Sequence, residues 1–449
     1  MTLTATVGSS CSMWPYYPDL LETPVPRYTS FPTAAEFEAM GTDVYANALE
    51  GVQGDVSLYV HVPFCEKICF YCGCNTGVAG RRDRLRSYID ALHREIALVS
   101  SLLPQDVAVK RVSFGGGSPN AMAPIDFVRL VDSLTVHFRL VDPVLSIELD
   151  PRAMTEDWAA VIGSVGIERA SLGVQTFARH CQEAIGRVQP EEMITRTVDR
   201  LRTAGVASLN FDLMYGLPSQ SMEDLLETLR ETCALGADRV ALFGYAHVPH
   251  LIPRQRVIDA GTLPNQADRF AMAAHGHDYL CVNGYTPVGF DHFARRHSDP
   301  LAVAAETGSL RRNFQGFTDD AASNVIGLGS SAISSFPSLL AQNEKNSGRY
   351  RMITSQNKLA TERGIERSVE DQVRGSMIEN FLCTGQASVT ASIAAEIALG
   401  LDRFIDRGLV VFDGKRIVLQ PGGVPYARTI AALLDPYRRH STRRFSSAV

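Results

Sequence analysis

From Val56 onward the chain alternates between two spacings of apolar residues. The run Val56-Ser57-Leu58-Tyr59-Val60-His61-Val62 switches between apolar and polar at every step, the period of a strand. Between Asp83 and Leu103, the residues Leu85, Ile89, Leu92, Ile96, Val99 and Leu103 recur at intervals of three and four, the stripe of an amphipathic helix. Together they predict one β/α unit. Further strands are predicted at 109–114, 145–150, 169–175, 208–214, 239–246 and near 285–290, with helical segments between most of them. That alternation predicts a parallel sheet with helical crossovers. Parallel strands covered on both faces are apolar throughout, yet several of these are not. Tyr59 and His61; Ser146, Glu148 and Asp150; Ser171 and Gln175; and Ser208, Asn210 and Asp212 each fall at even offsets and share a face. A closed eight-stranded barrel fills its interior with aliphatic side chains. The polar faces instead predict an incomplete, wider barrel whose lumen holds a ligand.

Outside the barrel, residues 1–54 carry Pro15, Pro18, Pro24, Pro26 and Pro32 and are expected to form an irregular N-terminal arm with one helical stretch. The barrel is expected over 55–300, a barrel-completing, substrate-covering segment over 301–364, and a small, mainly helical domain over 365–449. In that last part, Asp413-Gly414 between two apolar runs predicts a hairpin. Helices followed by a hairpin give a winged-helix-like outline, which would hint at DNA binding. A net charge of −6 and a pI near 6.0 argue against a nucleic-acid partner or an anionic lipid surface. No stretch approaches the roughly 20 apolar residues of a membrane span, and the opening MTLTATVGSSCSMW lacks a basic region and an apolar core. A cytoplasmic protein is expected.

Nine cysteines are distributed unevenly. Cys65, Cys69, Cys72 and Cys74 are crowded just after the first predicted strand, whereas Cys11, Cys181, Cys233, Cys281 and Cys383 are scattered, as packing residues are. This is no disulfide framework. Structural zinc needs four closed ligands, commonly from two separated pairs, and no second pair follows. Thiolates at Cys65, Cys69 and Cys72 can instead fold round one iron–sulfur cluster and leave one iron open.

The CxxxCxYC pattern after a strand resembles the radical SAM superfamily, whose members use a partial (β/α)6 barrel. Further blocks resemble the oxygen-independent coproporphyrinogen III dehydrogenase family: ArgTyrThrSerPheProThr at 27–33, LeuTyrValHisValProPheCys at 58–65, PheGlyGlyGlySerPro at 114–119, GlyValGlnThrPhe at 173–177 and AsnPheAspLeuMetTyrGlyLeuPro at 210–218. TyrAlaHisValPro at 245–249, AspHisPheAla at 291–294 and ArgAsnPheGlnGlyPhe at 312–317 extend the resemblance over about 20–390. The ending ArgArgPheSerSerAlaVal matches only loosely, Tyr71 stands where many relatives have Phe, and Ser118 where many have Thr.

The resemblance implies a 4Fe-4S cluster on Cys65, Cys69 and Cys72, with Cys74 outside the ligand set, and two molecules of S-adenosylmethionine (SAM). Tyr59, Gly116, Glu148, Ala246 and Ile333 are implied to contact the first, and Tyr71, Gly117, Ser118, Gln175, Arg187 and Asp212 the second. It further implies a reaction in which a 5'-deoxyadenosyl radical starts the decarboxylation of two propionates of coproporphyrinogen III, giving protoporphyrinogen IX without oxygen. Arg27, Tyr28, Arg295, Arg312, Asn313 and Gln315 are the candidates for meeting propionates. An external electron donor such as a flavodoxin or ferredoxin is required, and a monomer is expected. A haem chaperone of the same superfamily and a related radical SAM methyltransferase are the alternatives. Chaperone relatives generally lack the ArgTyrThrSer block and the Cys72-Gly73-Cys74 form.

Overall fold

The computed structural model describes residues 14–79 and 82–438; Cys11 and the ending ArgArgPheSerSerAlaVal lie outside the described residues. Six parallel strands form the centre: β1 (Val56–Val62), β2 (Val109–Gly116), β3 (Leu140–Leu149), β4 (Arg169–Gln175), β5 (Ser208–Tyr215) and β6 (Arg239–Gly244), paired in chain order. A helix follows each, beginning with Arg82–Leu102 and ending with Gln266–Val282. Leu85, Ile89, Leu92, Ile96 and Val99 of the first helix are all buried, and each such side chain contributes roughly 1.5–3 kcal/mol.

The stretch expected near 285–290 does not continue the parallel order. Tyr285–Val288 (β7) and His292–Arg295 (β8) form an antiparallel hairpin, and β8 pairs antiparallel with β6. Only Gly289, Phe290 and Asp291 separate them, far fewer residues than a parallel crossover of about a dozen needs. Gly289 makes the turn at φ +62°, and a Cβ there would strike the Phe317 ring.

A seventh parallel strand comes from much later in the chain. Asn324–Leu328 (β9) pairs with the free side of β1 and is followed antiparallel by Ile333–Phe336 (β10), Leu339–Asn343 (β11), Thr361–Glu366 (β12) and the arm strand Glu38–Ala39. The two sheet ends, Glu38–Ala39 and β7, are not paired with each other. The molecule is therefore an α/β partial barrel, open along one side.

The C-terminal part contains the helices Val369–Thr384 and Ala391–Ile405 and a small sheet whose hairpin turns at Asp413-Gly414. Ser368 and Asp371 form a reciprocal cap at the first helix. The arm ties to this part through Tyr28 Oη, which donates to Asp435 at 3.0 Å, and through Tyr426 Oη, which donates to Pro15 O at 2.7 Å. No helix among the described residues is long and apolar enough to cross a membrane.

Below the sheet opening, the hairpin Arg311–Asn313/Gly316–Thr318 delivers Asp319 to the floor of the lumen. Arg111 of β2 and Arg169 of β4 each reach Asp319 with two hydrogen bonds of 2.9–3.1 Å. Burial alone would raise the Asp319 carboxyl, but these bonds hold it well below the carboxylate range. A depressed folded pKa stabilises above the unfolded value of about 4 and is lost as the pH falls through the folded one. Asp319→Ala should thus destabilise the protein by about 3 kcal/mol at pH 7, since Arg169 loses its carboxylate and Arg111 keeps only the longer pair with Asp320 at 3.5 Å. In urea melts of the two proteins, the gap between their midpoints should narrow as the pH drops below about 4.

Candidate cluster and cofactor site

The site begins where the ends of β1 and β2 are drawn together. Gly117 N–H donates to Val62 O at 2.9 Å and Ser118 N–H to Phe64 O at 2.8 Å, so the Gly-rich turn grips the chain just before Cys65. A Cβ at Gly117 would lie 2.6 Å from Phe64 O. At Gly116 the backbone has φ +109°, and a Cβ would meet the His61 ring at 2.4 Å. These glycines permit close approach between strand ends, and the Gly116 amide is spent on Glu148 Oε2 at 3.0 Å.

The loop then presents Cys65, Cys69 and Cys72, with Cys74 exposed beyond them. Phe70 N–H donates to Ile185 O and Ala79 N–H to Cys65 O, fastening both flanks. Among the described residues, the set close enough to chelate one ion is His180, Cys181 and Asp224, within 4.8 Å; the three loop cysteines are not part of it. Their spacing of three and two residues, with no second pair, suits an iron–sulfur cluster better than a closed four-ligand zinc.

The charges around Cys69 make the same point. Arg152 Nη2 stands 3.4 Å and Arg187 Nη1 3.3 Å from Cys69 Sγ. Asp150 pairs with Arg152 at 2.6 Å and with Arg187 at 3.4 Å. All four are buried or nearly so: Cys69 is 5% exposed, Asp150 7% and Arg187 8%, and the Arg152 side chain 11%. Two guanidiniums against one carboxylate leave one positive charge beside the Cys69 sulfur. Burial, then the charges of Cys72, Asp150 and Cys69, push the Cys65 thiol up to about 12, whereas hydrogen bonding with Cys74 first of all brings Cys72 down to about 6. A metal centre deprotonates a coordinating thiol outright and would ionise all three together. The residues therefore fit an iron–sulfur cluster.

Beneath the loop, a cavity of about 340 Å³ is lined by Ser146, Glu148, Ser171, Asn210, Asp212 and His292 among others. Asp212 accepts hydrogen bonds from Ser171 at 3.0 Å and Asn210 at 2.8 Å. Neither Glu148 nor Asp212 has an ion-pair partner among the described residues. Glu148 stays accessible inside the lumen; burial by the surrounding wall, with the Asp212 charge adding to it, lifts its pKa to about 7. Asp212 is raised by burial too, despite its hydrogen bonds.

The other expected site residues border this space. Gln175 ends β4 with φ +68°, an unfavourable backbone conformation of the kind found at ligand sites. Arg187, whose side chain could have lain on a helix surface, is buried and donates through Nε to Gly173 O at 3.0 Å. Gln255 joins Tyr71 O (2.9 Å) and Ala246 O (3.0 Å) through one Nε2. Tyr59 Oη and Ser331 Oγ each lie 3.3 Å from a nitrogen of His61, and burial lowers that imidazole to about 4. Ile333 stands across its hairpin from Gly327, the β9 neighbour of Tyr59. Ser118 is buried, with Oγ donating to Asn120 Oδ1.

The propionate candidates divide. Gln315 lines the lumen, and Arg27 lies 4.7 Å over the lumen-lining Phe243. Tyr28 is occupied by Asp435. Arg312 packs between Phe290 and Phe317 and donates to the carbonyls of Arg27 and Tyr28. Asn313 caps its own hairpin at Gln315 N–H. Arg295 stacks on Tyr285 and donates to Ala237 O at the sheet edge.

Comparison with known proteins places this arrangement. Residues 59–232 match the Radical SAM superfamily. The oxygen-independent coproporphyrinogen III oxidase of Bradyrhizobium diazoefficiens is 38% identical over 441 residues, 95% of this chain and 98% of the relative. The chain belongs to that family. The Escherichia coli protein of the same name is 35% identical over 431 residues, 93% of this chain and 94% of its own. A solved structure described as "Coproporphyrinogen III oxidase (HemN) from Escherichia coli is a Radical SAM enzyme" superposes with a TM-score of 0.88 at 34% identity, covering 95% of this chain and all of that one.

Within this oxygen-independent coproporphyrinogen III oxidase fold, two positions escaped the reading of the sequence. Arg152 carried only a weak signal, the Asp-Pro-Arg turn directly after a polar strand face. Gln255 carried none, because its two acceptors are main-chain atoms. Anaerobically prepared protein should contain about four irons and four sulfides per chain. Alanine at Cys65, Cys69 or Cys72 should abolish both in elemental and sulfide assays, while Cys74→Ala should retain them.

Proposed function

We propose that this protein carries out the oxygen-independent oxidative decarboxylation of coproporphyrinogen III to protoporphyrinogen IX in haem biosynthesis. The observation that carries the reading is the pair of lumen carboxylates, Glu148 and Asp212, without a cation of their own directly beneath a cluster-ready cysteine loop. SAM brings an ammonium and a sulfonium, the charges this space lacks. When bound, the cluster and SAM supply one-electron, hydrogen-abstracting chemistry.

The residues divide the work of holding two SAM molecules. Tyr59, Gly116, Glu148, Ala246 and Ile333 hold the first, and Tyr71, Gly117, Ser118, Gln175, Arg187 and Asp212 the second. Gln255 keeps Tyr71 and Ala246 in register. Arg27 and Gln315 face incoming propionates, and segment 301–364 covers the substrate. Each propionate loses CO2, one hydrogen atom and one electron, the last to an external acceptor. A flavodoxin or ferredoxin supplies the reducing electron, and the protein works as a cytoplasmic monomer.

With SAM and reductant in excess, coproporphyrinogen III should pass through a mono-vinyl tri-propionate species to the di-vinyl product, releasing two CO2 and at least two 5'-deoxyadenosines per tetrapyrrole. Mass spectrometry follows each species. Asp212→Ala should keep fold and cluster but lower turnover at least about 100-fold, as expected when a charged contact worth about 3 kcal/mol is removed. Stable haem binding without decarboxylation, in protein with a reducible cluster, would establish the chaperone instead.

A further inference from the structure

Arg152 does more than neutralise Asp150. That carboxylate already faces Arg187, with Nη1 and Nη2 both at 3.4 Å. Arg152 holds Asp150 with Nε at 3.0 and 3.1 Å and with Nη2 at 2.6 Å, and the same Nη2 also contacts Lys67 O at 3.3 Å and Cys69 Sγ at 3.4 Å. One guanidinium therefore spans the strand end and the cysteine loop and meets the loop's most buried sulfur. Cys69 alone of the three cysteines receives guanidinium donors among the described residues.

We propose that Arg152 is a positioning residue that, through its N–H···S contact with Cys69, raises the reduction potential of the cluster. The proposal rests on the cluster reading of Cys65, Cys69 and Cys72. Hydrogen bonds to ligand sulfur, net charge and solvent exposure set the potential of an iron–sulfur cluster. Reduction adds a negative charge to the cluster and its sulfurs. A fixed positive charge and an N–H donor at a buried sulfur stabilise the reduced form more than the oxidised one, and little water is present to screen them. The effect makes the cluster easier for an external donor to reduce. Arg187 touches the same sulfur but is also assigned to SAM, whereas Arg152 has no such second task, so its contribution can be read with no SAM present.

The test compares Arg152→Gln and Arg152→Lys with the unaltered protein. Iron and sulfide are quantified, and the cluster midpoint is measured by redox titration followed by electron paramagnetic resonance, without SAM or substrate. In Arg152→Gln the oxidised-to-reduced ratio at a fixed potential should rise about tenfold, a midpoint shift of about 59 mV to the negative for one electron. Arg152→Lys, which keeps the charge and loses the planar fork, should fall between the two. An unchanged midpoint in Arg152→Gln with a full cluster overturns the proposal. A cluster lost from both variants overturns it as well, since Arg152 would then hold the site together without setting its potential. Unaltered protein that binds no iron or sulfide would instead remove the cluster reading itself.

Discussion

A carboxylate enclosed by protein has to be met by a cation or by strong hydrogen-bond donors, and this requirement organises the barrel from floor to mouth. At the floor, Asp319 has Arg111 and Arg169, and Asp299 has Arg239. At the mouth, Asp150 has Arg152 and Arg187. Midway, Glu148 and Asp212 have hydrogen bonds but no ion pair among the described residues. The carboxylates of both end layers have their cations, and the mouth keeps one positive charge to spare beside the Cys69 sulfur. The middle layer alone holds carboxylates without a cation, and the proposed SAM molecules would supply one.

The same division explains why the Gly-rich turn sits where it does. Holding the Cys65 segment against the end of β2 lets Cys69 reach the arginines at the mouth. It also places the Gly116 amide on Glu148. A single main-chain approach thus couples the cysteine loop to the ligand layer beneath it.

Much of this was legible in the chain, for physical reasons. The even spacing of Glu148 with Ser146 and of Asp212 with Asn210 puts them on a lumen face because strand side chains alternate wherever the strand is regular. The crowding of Cys65, Cys69 and Cys72 needs no fold to be noticed. Alternation cannot show direction, however, so Tyr285–Val288 reads like any other strand, and only the three-residue turn after it makes it antiparallel. Nor does residue type reveal whose partner an arginine is. Arg295 and Arg312 look like carboxylate binders and are used on rings and main-chain carbonyls, while Arg152, which looks like one end of a local turn, meets a sulfur contributed 83 positions earlier.

The strand Asn324–Leu328, docked beside Val56–Val62, has a consequence for how the molecule comes into being. As the chain leaves the ribosome, the first barrel strand has one neighbour from the second, but its other edge stays unsatisfied until residue 328 has been made. At about 5–20 residues per second, the roughly 260 intervening residues take some tens of seconds to synthesise. Throughout that interval a half-built sheet presents an apolar, hydrogen-bonding edge to its surroundings, the kind of surface that seeds aggregation. The last-made parallel strand therefore decides when the nascent protein stops being sticky, and truncations before residue 328 would release chains with that edge uncovered.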